Sequence, residues 1–219
     1  MSSKARYATV ILDVDSTVAS IEGIDWLAAL RTPDVAARIA AGTDQAMEGR
    51  VSLETVYAER LRLVAPRRDD IEALGEAYVA SIAPGARETV AALRHGGVRV
   101  MLFSGGLRES ILPVADALGI LREDVHAVGI RFNEDGSYAD FDRMSPFATN
   151  SGKPAMVERL APARRILAVG DGATDARMKS VVDTFAAFTQ FVRRQPIVDA
   201  ADVELRSFAE LARYVIPAD

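Results

Sequence analysis

Two aspartates separated by one residue directly follow an apolar run near the start of the sequence. The stretch Tyr7–Thr17 reads YATVILDVDST, so Asp13 and Asp15 come immediately after Ala8–Leu12. A short, β-branched apolar run is typical of a buried strand in a parallel sheet, and such strands carry functional groups at their carboxyl ends. The pattern predicts both carboxylates at the mouth of a sheet, although Asp-Ser-Thr is also an ordinary turn.

Polar groups also follow two later apolar runs. Ser104–Gly106 comes after one of them, and the glycine-rich stretch Gly170–Asp175 comes after the other. Because parallel strands with right-handed crossovers end at one edge of a sheet, we expect these groups to meet the two aspartates. Lys153 lies in a Ser-Gly-Lys-Pro turn and is one of only three lysines among 26 basic residues, so it is a candidate for the same site.

This set of groups predicts phosphoryl transfer at a hard divalent cation. The carboxylates are Asp13, Asp15, Asp171 and Asp175. Several carboxylates at one edge repel one another unless a cation lies among them, and Mg²⁺ prefers such oxygen ligands. The Ser104 hydroxyl, glycine amides and Lys153 offer hydrogen bonds and charge to an anion. Phosphoryl transfer depends mainly on such positioning and charge neutralisation.

Composition excludes several other kinds of chemistry. The 219 residues carry a net charge of −5, which gives no electrostatic footprint for nucleic acid. The absence of cysteine excludes disulfides, zinc-thiolate sites and cysteine nucleophiles, and His95 and His126 alone make a poor metal or triad set. No apolar run approaches the length of a membrane span, and the N-terminus lacks a secretory apolar region. We therefore expect a cytoplasmic protein with neither a nucleic-acid nor a membrane partner.

The periodicity predicts how these groups are positioned. Strands and helices alternate from Pro84 onward, which indicates a doubly wound parallel α/β sheet with a helical insertion after the first strand. We expect a core of residues 1–17 and 81–219 and a helical cap of residues 18–80. The predicted cap helices are Ile24–Leu30, Val35–Ala41, Val51–Leu63 and Asp70–Val79. In the core we expect strands Val98–Phe103, Val125–Phe132, Ile166–Val169 and, last, Thr184–Phe188, with a hairpin turn at Asn133–Gly136.

Four short motifs resemble a known family. DVDST, FSGG, SGK and GDGATD, in this order, resemble the motifs of the haloacid dehalogenase superfamily of Mg²⁺-dependent phosphatases. VDSTVASIEGIDWLA, MEGRVSLETVYAERL and VRRQ resemble the phosphoserine phosphatases, so that the resemblance covers nearly the whole chain. It implies a Rossmann-like core, a monomer or homodimer, and hydrolysis of O-phosphoserine, a small phosphorylated amino acid, in the last step of serine biosynthesis.

The resemblance also implies roles for the core residues. Asp13 is the nucleophile that forms an aspartyl-phosphate, and Asp15 is the acid and base. Mg²⁺ is held by the Asp13 side chain, the Asp15 backbone carbonyl and Asp171, with Asp175 behind these ligands. The phosphate is held by Ser104, Gly105 and Lys153.

Substrate contacts are implied for five further residues, which are Glu22, Met47, Arg60, Thr174 and Arg194. Glu22 meets a substrate ammonium, and Arg60 meets its carboxylate. Taken singly, a charge on a helix is ordinarily solvated and a methionine ordinarily fills a core. Their joint occurrence in the family order is what favours the functional interpretation.

Two departures from the family pattern affect the expected pocket. Met47-Glu48-Gly49 replaces a usual Met-Gly-Gly, and Thr189-Gln190 replaces a usual pair of glycines. These side chains leave open a related small-molecule phosphatase or a phosphotransferase acting on an amino-acid hydroxyl. A non-catalytic metabolite-binding module on the same fold is the alternative from another class, although such a module needs no nucleophile.

Overall fold

A parallel β-sheet forms the central layer of the molecule. The computed structural model describes residues 5–217. The strands are β1 (Thr9–Leu12), β2 (Arg99–Leu107), β3 (Val125–Val128), β4 (Ile130–Phe132), β5 (Tyr138–Phe141), β6 (Ile166–Gly170), β7 (Thr184–Phe188) and β8 (Val203–Leu205). The main sheet has the order β3-β2-β1-β6-β7-β8 with parallel pairings, and β4 and β5 form a separate antiparallel pair.

The strand order places a topological switch point beside β1. From β1 the chain builds outward through β2 and β3 on one side, and it returns to β6, β7 and β8 on the other. Every residue of β1 is fully buried, as expected for a β-branched strand covered on both faces. Open α/β sheets bind ligands where the strand order reverses, so the carboxyl ends of β1 and β6 are the expected place for a site.

Ten α-helices surround the sheet in the described part of the chain. They are α1 (Gly23–Ala29), α2 (Pro33–Met47), α3 (Leu53–Val64), α4 (Arg68–Ala80), α5 (Ala86–His95), α6 (Arg108–Leu118), α7 (Gly152–Leu160), α8 (Ala173–Ala176), α9 (Gln195–Ala200) and α10 (Phe208–Val215). Several ends follow local rules: α2 begins at a proline, α6 ends at a left-handed glycine, and Ser207 caps α10 by accepting a hydrogen bond from the Glu210 amide at 3.2 Å.

The helices α1–α4 form an insertion whose two connections to the core are hydrogen-bonded to each other. The Ser20 amide donates to the Ser81 carbonyl at 3.0 Å, and the Ala83 amide donates to the Val18 carbonyl at 2.8 Å. Within the insertion, α4 also packs closely on α6 of the core. A Cβ on Gly75 would lie 3.1 Å from Cγ of Pro113, so the absence of a side chain allows this approach.

The predicted fold class is confirmed: a six-stranded parallel sheet with a helical insertion after its first strand. Four details of the prediction are wrong. The strand expected at Val125–Phe132 is divided at Gly129 between β3 and β4. A further strand, β8, follows Thr184–Phe188, and α2 runs to Met47 instead of ending at Ala41. The expected Ser104–Gly106 loop lies within β2, where the pairing with β3 shifts register.

Gly129 and the short length of β8 explain two of these errors. Val125–Phe132 reads as one apolar run, but pairing with β5 turns its second half out of the main sheet. At three residues, β8 is too short to show an alternation, and its pairing with β7 forms only in the folded chain. None of the helices between residues 5 and 217 has the length and apolar composition required to cross a bilayer.

The first turn of α7 makes a prediction about stability. A Cβ on Gly152 would lie 1.7 Å from the Pro146 carbonyl oxygen, so Gly152→Ala must displace the backbone that precedes Lys153. We expect a loss of about 1–3 kcal/mol or more in the free energy of unfolding, as for other overpacked sites. Gly42→Ala is the matched control, because nothing lies within 4 Å of that position in α2. It should be neutral or stabilising by about 0.5–1 kcal/mol. Urea unfolding of both variants measures the difference, and equal stabilities would contradict the close packing.

Candidate active site

The chain leaves β1 through a tight turn that aims two carboxylates at one space. Asp13 continues the sheet by donating its amide to the Val169 carbonyl of β6 at 3.0 Å. Val14–Val18 then form a wide helical turn in which Ser16 has a φ of +51°. Left-handed backbone at a residue with a Cβ is strained by about 1–3 kcal/mol. The turn is held in part by the Ser16 hydroxyl, which donates to Glu22 Oε1 at 2.7 Å.

Lys153 connects the ends of β1 and β6 electrostatically. Its ammonium donates to Asp13 Oδ1 and to Asp175 Oδ1, each at 2.5 Å, and all three residues are buried. Burial lowers the pKa of Lys153, but the charges of Asp13 and Asp175 together raise it by more. The pKa therefore lies above its ordinary value, and the ammonium stays charged. Asp13 Oδ2 accepts no hydrogen bond from residues 5–217, so this oxygen is available to a ligand.

Three of the carboxylates are close enough to share a metal ion. Oxygens of Asp13, Asp171 and Asp175 lie within 4.8 Å of one another, and all three residues are buried. Burial and the charge of Asp175 raise the pKa of Asp13 well above its ordinary value, although Lys153 opposes this. Four carboxylates lie at the sheet edge, counting Asp15, and within residues 5–217 two cations, Lys153 and Arg194, form ion pairs with them. A divalent ion would neutralise the remaining two negative charges, so the residues fit a metal site.

Asp171 is oriented by two donors, one on each of its carboxylate oxygens. The Thr17 hydroxyl donates to Oδ1 at 3.1 Å, and the Arg194 guanidinium forms an ion pair with Oδ2. Arg194 was expected to contact substrate, but it lies behind Asp171 and does not line the cavity described below. Asp175 is held similarly, since its Oδ2 accepts the Gly172 amide at 3.0 Å.

A small cavity of about 50 Å³ lies between the sheet edge and the insertion. Among the predicted site residues, those that line it are Asp13, Asp15, Glu22, Met47, Arg60, Gly105, Lys153, Thr174 and Asp175. Ser104, Asp171 and Arg194 are not part of this lining. The cavity has room for a few water molecules or a small ligand. Residues of the core and of the insertion therefore border the same space.

The insertion contributes one cation and one acid to this cavity. Arg60 is buried, with its guanidinium donating to Asp25 Oδ1 at 3.2 Å and to the Thr43 hydroxyl. Its Nε–H is buried without a hydrogen-bond partner in the described chain, and such an unsatisfied donor favours a ligand that accepts from it. Burial, followed by the charges of Asp15 and Asp171, raises the pKa of Glu22 well above its ordinary value. A cationic group of a ligand would restore its charge.

The residues that depart from the family pattern lie away from the cavity. Glu48 pairs with Arg50 at 2.7 Å, and both side chains are largely exposed. The Thr189 hydroxyl donates to Glu204 at 3.0 Å. Glu48, Thr189 and Gln190 are all absent from the cavity lining, so they do not narrow it.

Sequence reasoning missed several residues of the site. The Tyr78 hydroxyl of α4 donates to Asp15 Oδ1 at 2.6 Å, and the Tyr57 hydroxyl of α3 donates to the Gly105 carbonyl at 2.8 Å. Phe147 and Thr149 line the cavity from the segment before α7. Tyr57 lies within one of the stretches that resemble the family, and Phe147 and Thr149 come just before the SGK motif, but in sequence an aromatic residue is indistinguishable from core filling. No local pattern could have found them.

Comparisons with known proteins agree with this geometry. A family model described as haloacid dehalogenase-like hydrolase matches residues 10–179. The phosphoserine phosphatase of Bos taurus is 37% identical over 205 residues, or 92% of this chain and 90% of that protein. The chloroplastic phosphoserine phosphatase of Arabidopsis thaliana is 35% identical over 92% of this chain and 70% of that protein. A phosphoserine phosphohydrolase-like protein from Francisella tularensis has a TM-score of 0.88 at 27% identity, covering 94% of this chain and 99% of that one.

The chain belongs to the haloacid dehalogenase-like hydrolases, because the family model spans more than half of it. The resemblance of the four motifs is thereby confirmed. The protein is an enzyme of that family, and the metabolite-binding module left open by the sequence is wrong.

The crowded carboxylates predict a pH dependence of stability. Burial and Asp175 raise the pKa of Asp171 from 3.8 to about 7, although Arg194 lowers it. Between these values the folded chain keeps a proton that the unfolded chain has released, so stability falls as pH rises. In chelator, we expect a lower thermal midpoint at about pH 8 than at about pH 5, and MgCl₂ should raise the midpoint more at the higher pH.

Asp171→Asn is the matched control for this measurement. The amide removes the titrating carboxylate and leaves the shape of the side chain, so both the pH slope and the response to added salt should shrink. A wild-type midpoint at about pH 8 that is the same with and without the divalent salt would contradict the metal site.

Proposed function

We propose that this hydrolase removes the phosphate of O-phosphoserine, with Mg²⁺ as its cation and an aspartyl-phosphate as its intermediate. The observation that carries the proposal is the arrangement around the cavity. A carboxylate with one unengaged oxygen, Asp13, and a charged Lys153 line the same cavity as Glu22 and Arg60 of the insertion. An amino-acid phosphate has an anion, a cation and a carboxylate within a single small molecule that matches these groups.

In the first step, Asp13 Oδ2 attacks phosphorus while the bond to the serine oxygen breaks. Lys153 holds Asp13 Oδ1, so the attacking oxygen is the one that the ammonium does not bond. Asp15, two residues along the same turn, supplies a proton to the leaving serine oxygen. When bound by Asp13, Asp171 and the backbone carbonyl of Asp15, Mg²⁺ would offset negative charge on the transferring phosphoryl group.

In the second step, water hydrolyses the aspartyl-phosphate. Asp15, now ionised, takes a proton from that water, and the acyl–phosphate is cleaved to regenerate the Asp13 carboxylate. Ser104, Gly105 and Lys153 would hold the phosphate oxygens through both steps. Thr174 and Met47 would complete the cavity around the substrate, and Arg194 would act through Asp171, since that is the residue it contacts.

Recognition of serine is assigned to the insertion. Arg60 would donate its unpaired Nε–H to the substrate carboxylate, and Glu22 would pair with the ammonium. Because Arg60 lies in α3 and Glu22 directly precedes α1, movement of residues 18–80 as a lid would admit substrate and then exclude water.

Relatives named phosphoserine phosphatase support this substrate over nearly the full chain. Release of serine and phosphate would be the last step of serine biosynthesis. The cytoplasmic location stays a prediction, since one relative is described as chloroplastic. A monomer or homodimer without a nucleic-acid partner is likewise proposed from the sequence.

A phosphotransferase would differ from this hydrolase only in the second step, where an amino-acid hydroxyl replaces water as the acceptor. Labelled serine added to the assay would then become labelled phosphoserine.

Phosphate release across a panel of phosphomonoesters tests the proposed function. We expect O-phosphoserine to have the highest kcat/KM, with activity abolished by chelator and restored by MgCl₂. Asp13→Asn should lower turnover by more than about a thousand-fold, because the amide cannot form the acyl-phosphate. Asp44→Asn, on an exposed carboxylate of α2, is the matched control and should be unaffected. Full activity in chelator, or a folded and active Asp13→Asn protein, would contradict the mechanism.

Arg60 provides a separate test of substrate recognition. Loss of one charged hydrogen bond corresponds to about 1.5–3 kcal/mol, or roughly a ten- to hundred-fold change in rate. Arg60→Ala should lower kcat/KM for phosphoserine by that factor and affect p-nitrophenyl phosphate, which lacks the carboxylate, much less. Arg62→Ala, on the exposed face of the same helix, is the control. Equal losses on both substrates would show that Arg60 supports the insertion through Asp25 instead of binding serine.

A further inference from the structure

The two oxygens of Asp15 have different surroundings. Oδ1 accepts two short hydrogen bonds, from the Tyr78 hydroxyl and from the Gly23 amide, each at 2.6 Å. Oδ2 has one long contact, with the Ser104 hydroxyl at 3.3 Å. A Cβ added to Gly106 would lie 3.2 Å from Oδ2, so Oδ2 lies next to Gly106, which lines the cavity. The lone pairs of Oδ1 are therefore engaged, whereas Oδ2 accepts only the long Ser104 hydrogen bond from residues 5–217 and keeps a lone pair for the ligand.

We propose that Tyr78 is a positioning residue that, with the Gly23 amide, makes Oδ2 of Asp15 the atom that transfers the proton. The proposal rests on the proposed function, because it concerns how Asp15 acts in that reaction. An oxygen that accepts two short hydrogen bonds is a poor place for a proton, so the proton of the carboxylic acid lies on the other oxygen.

Both proton transfers of the reaction then take place at Oδ2 of Asp15. As the phosphorus–oxygen bond breaks, Oδ2–H donates its proton to the serine oxygen, and serine leaves as the neutral alcohol. Asp15 is left as a carboxylate, whose new charge is stabilised by the two donors on Oδ1. In the second step Oδ2 takes a proton from the attacking water, which returns Asp15 to its starting form.

Tyr78 is well placed for this role because its helix packs on α6 of the core in this structure. It is fully buried, and α4 packs against α6 through the contact of Gly75 with Pro113. The second donor, the Gly23 amide, lies next to this hydroxyl because residue 23 has no side chain. A Cβ on Gly23 would lie 2.0 Å from the Tyr78 hydroxyl oxygen. Only a glycine at this position lets the amide and the phenol reach the same carboxylate oxygen.

The leaving group separates positioning from a purely structural role. Serine is a poor leaving group that needs the proton, whereas p-nitrophenolate leaves readily without one. In Tyr78→Phe we expect kcat/KM for phosphoserine to fall about ten-fold or more, with a change under about three-fold for p-nitrophenyl phosphate. kcat/KM is the right quantity because it reports the steps up to formation of the aspartyl-phosphate. Phenylalanine keeps the ring, so the variant should fold, and thermal unfolding checks this.

Tyr7→Phe is the matched control. It removes a hydroxyl that bonds Thr184 at 2.9 Å, far from Asp15, and should leave both kcat/KM values unchanged. Equal losses on the two esters in Tyr78→Phe would overturn the proposal and assign Tyr78 to packing of the insertion. No loss on either ester would overturn it as well. Failure of the proposed function would be seen separately, as a wild-type protein that does not hydrolyse phosphoserine.

Discussion

The site depends on one buried cation that lies between two carboxylates. Lys153 forms ion pairs with Asp13 at the end of β1 and with Asp175 beyond the end of β6, and all three residues are buried. Removing these charges from water is unfavourable, so each of them needs its partner. This requirement explains why the first turn of α7 is packed so closely on the preceding segment: the position of Lys153 determines which oxygen of Asp13 is free.

The sheet topology and the insertion divide the work of the site between them. The switch point between β1 and β6 brings the aspartates together on rigid strand ends, where the backbone is held by the parallel ladder. The insertion supplies Glu22 and Arg60 and closes the cavity from above. It also reaches the chemistry itself, since Tyr78 and Gly23 both bond Asp15. Recognition of a substrate and orientation of a catalytic group thus depend on the same layer of helices.

Several features of the site oppose stability. Ser16 has left-handed backbone, Arg60 has a buried donor without a partner in the described chain, and burial raises the pKa of Asp13, Asp15 and Asp171. A buried carboxyl with a raised pKa destabilises the folded state at neutral pH. The surrounding core tolerates this because β1 and its neighbours are fully buried apolar strands, and each such side chain contributes about 1.5–3 kcal/mol. Binding of a cation would offset the repulsion among the buried carboxylates, and binding of a phosphorylated ligand would give the unpaired donor of Arg60 an acceptor.

The sequence alone was sufficient for the fold class and for most of the residues that line the cavity. Apolar runs followed by small polar residues identify buried parallel strands, and the order of the four motifs identifies the family, because both are properties of contiguous stretches. Contacts between distant stretches were decided by the tertiary structure. Pairing alone divides Val125–Phe132 into two strands, and packing alone places Arg194 behind Asp171 and Tyr78 on Asp15. Glu48 and Thr189 were expected at the pocket but bond Arg50 and Glu204 instead, and Gln190 is also absent from the cavity lining. The physical reason is that periodicity records which face of an element is buried, whereas hydrogen bonds and ion pairs depend on distances that only the packed layers determine.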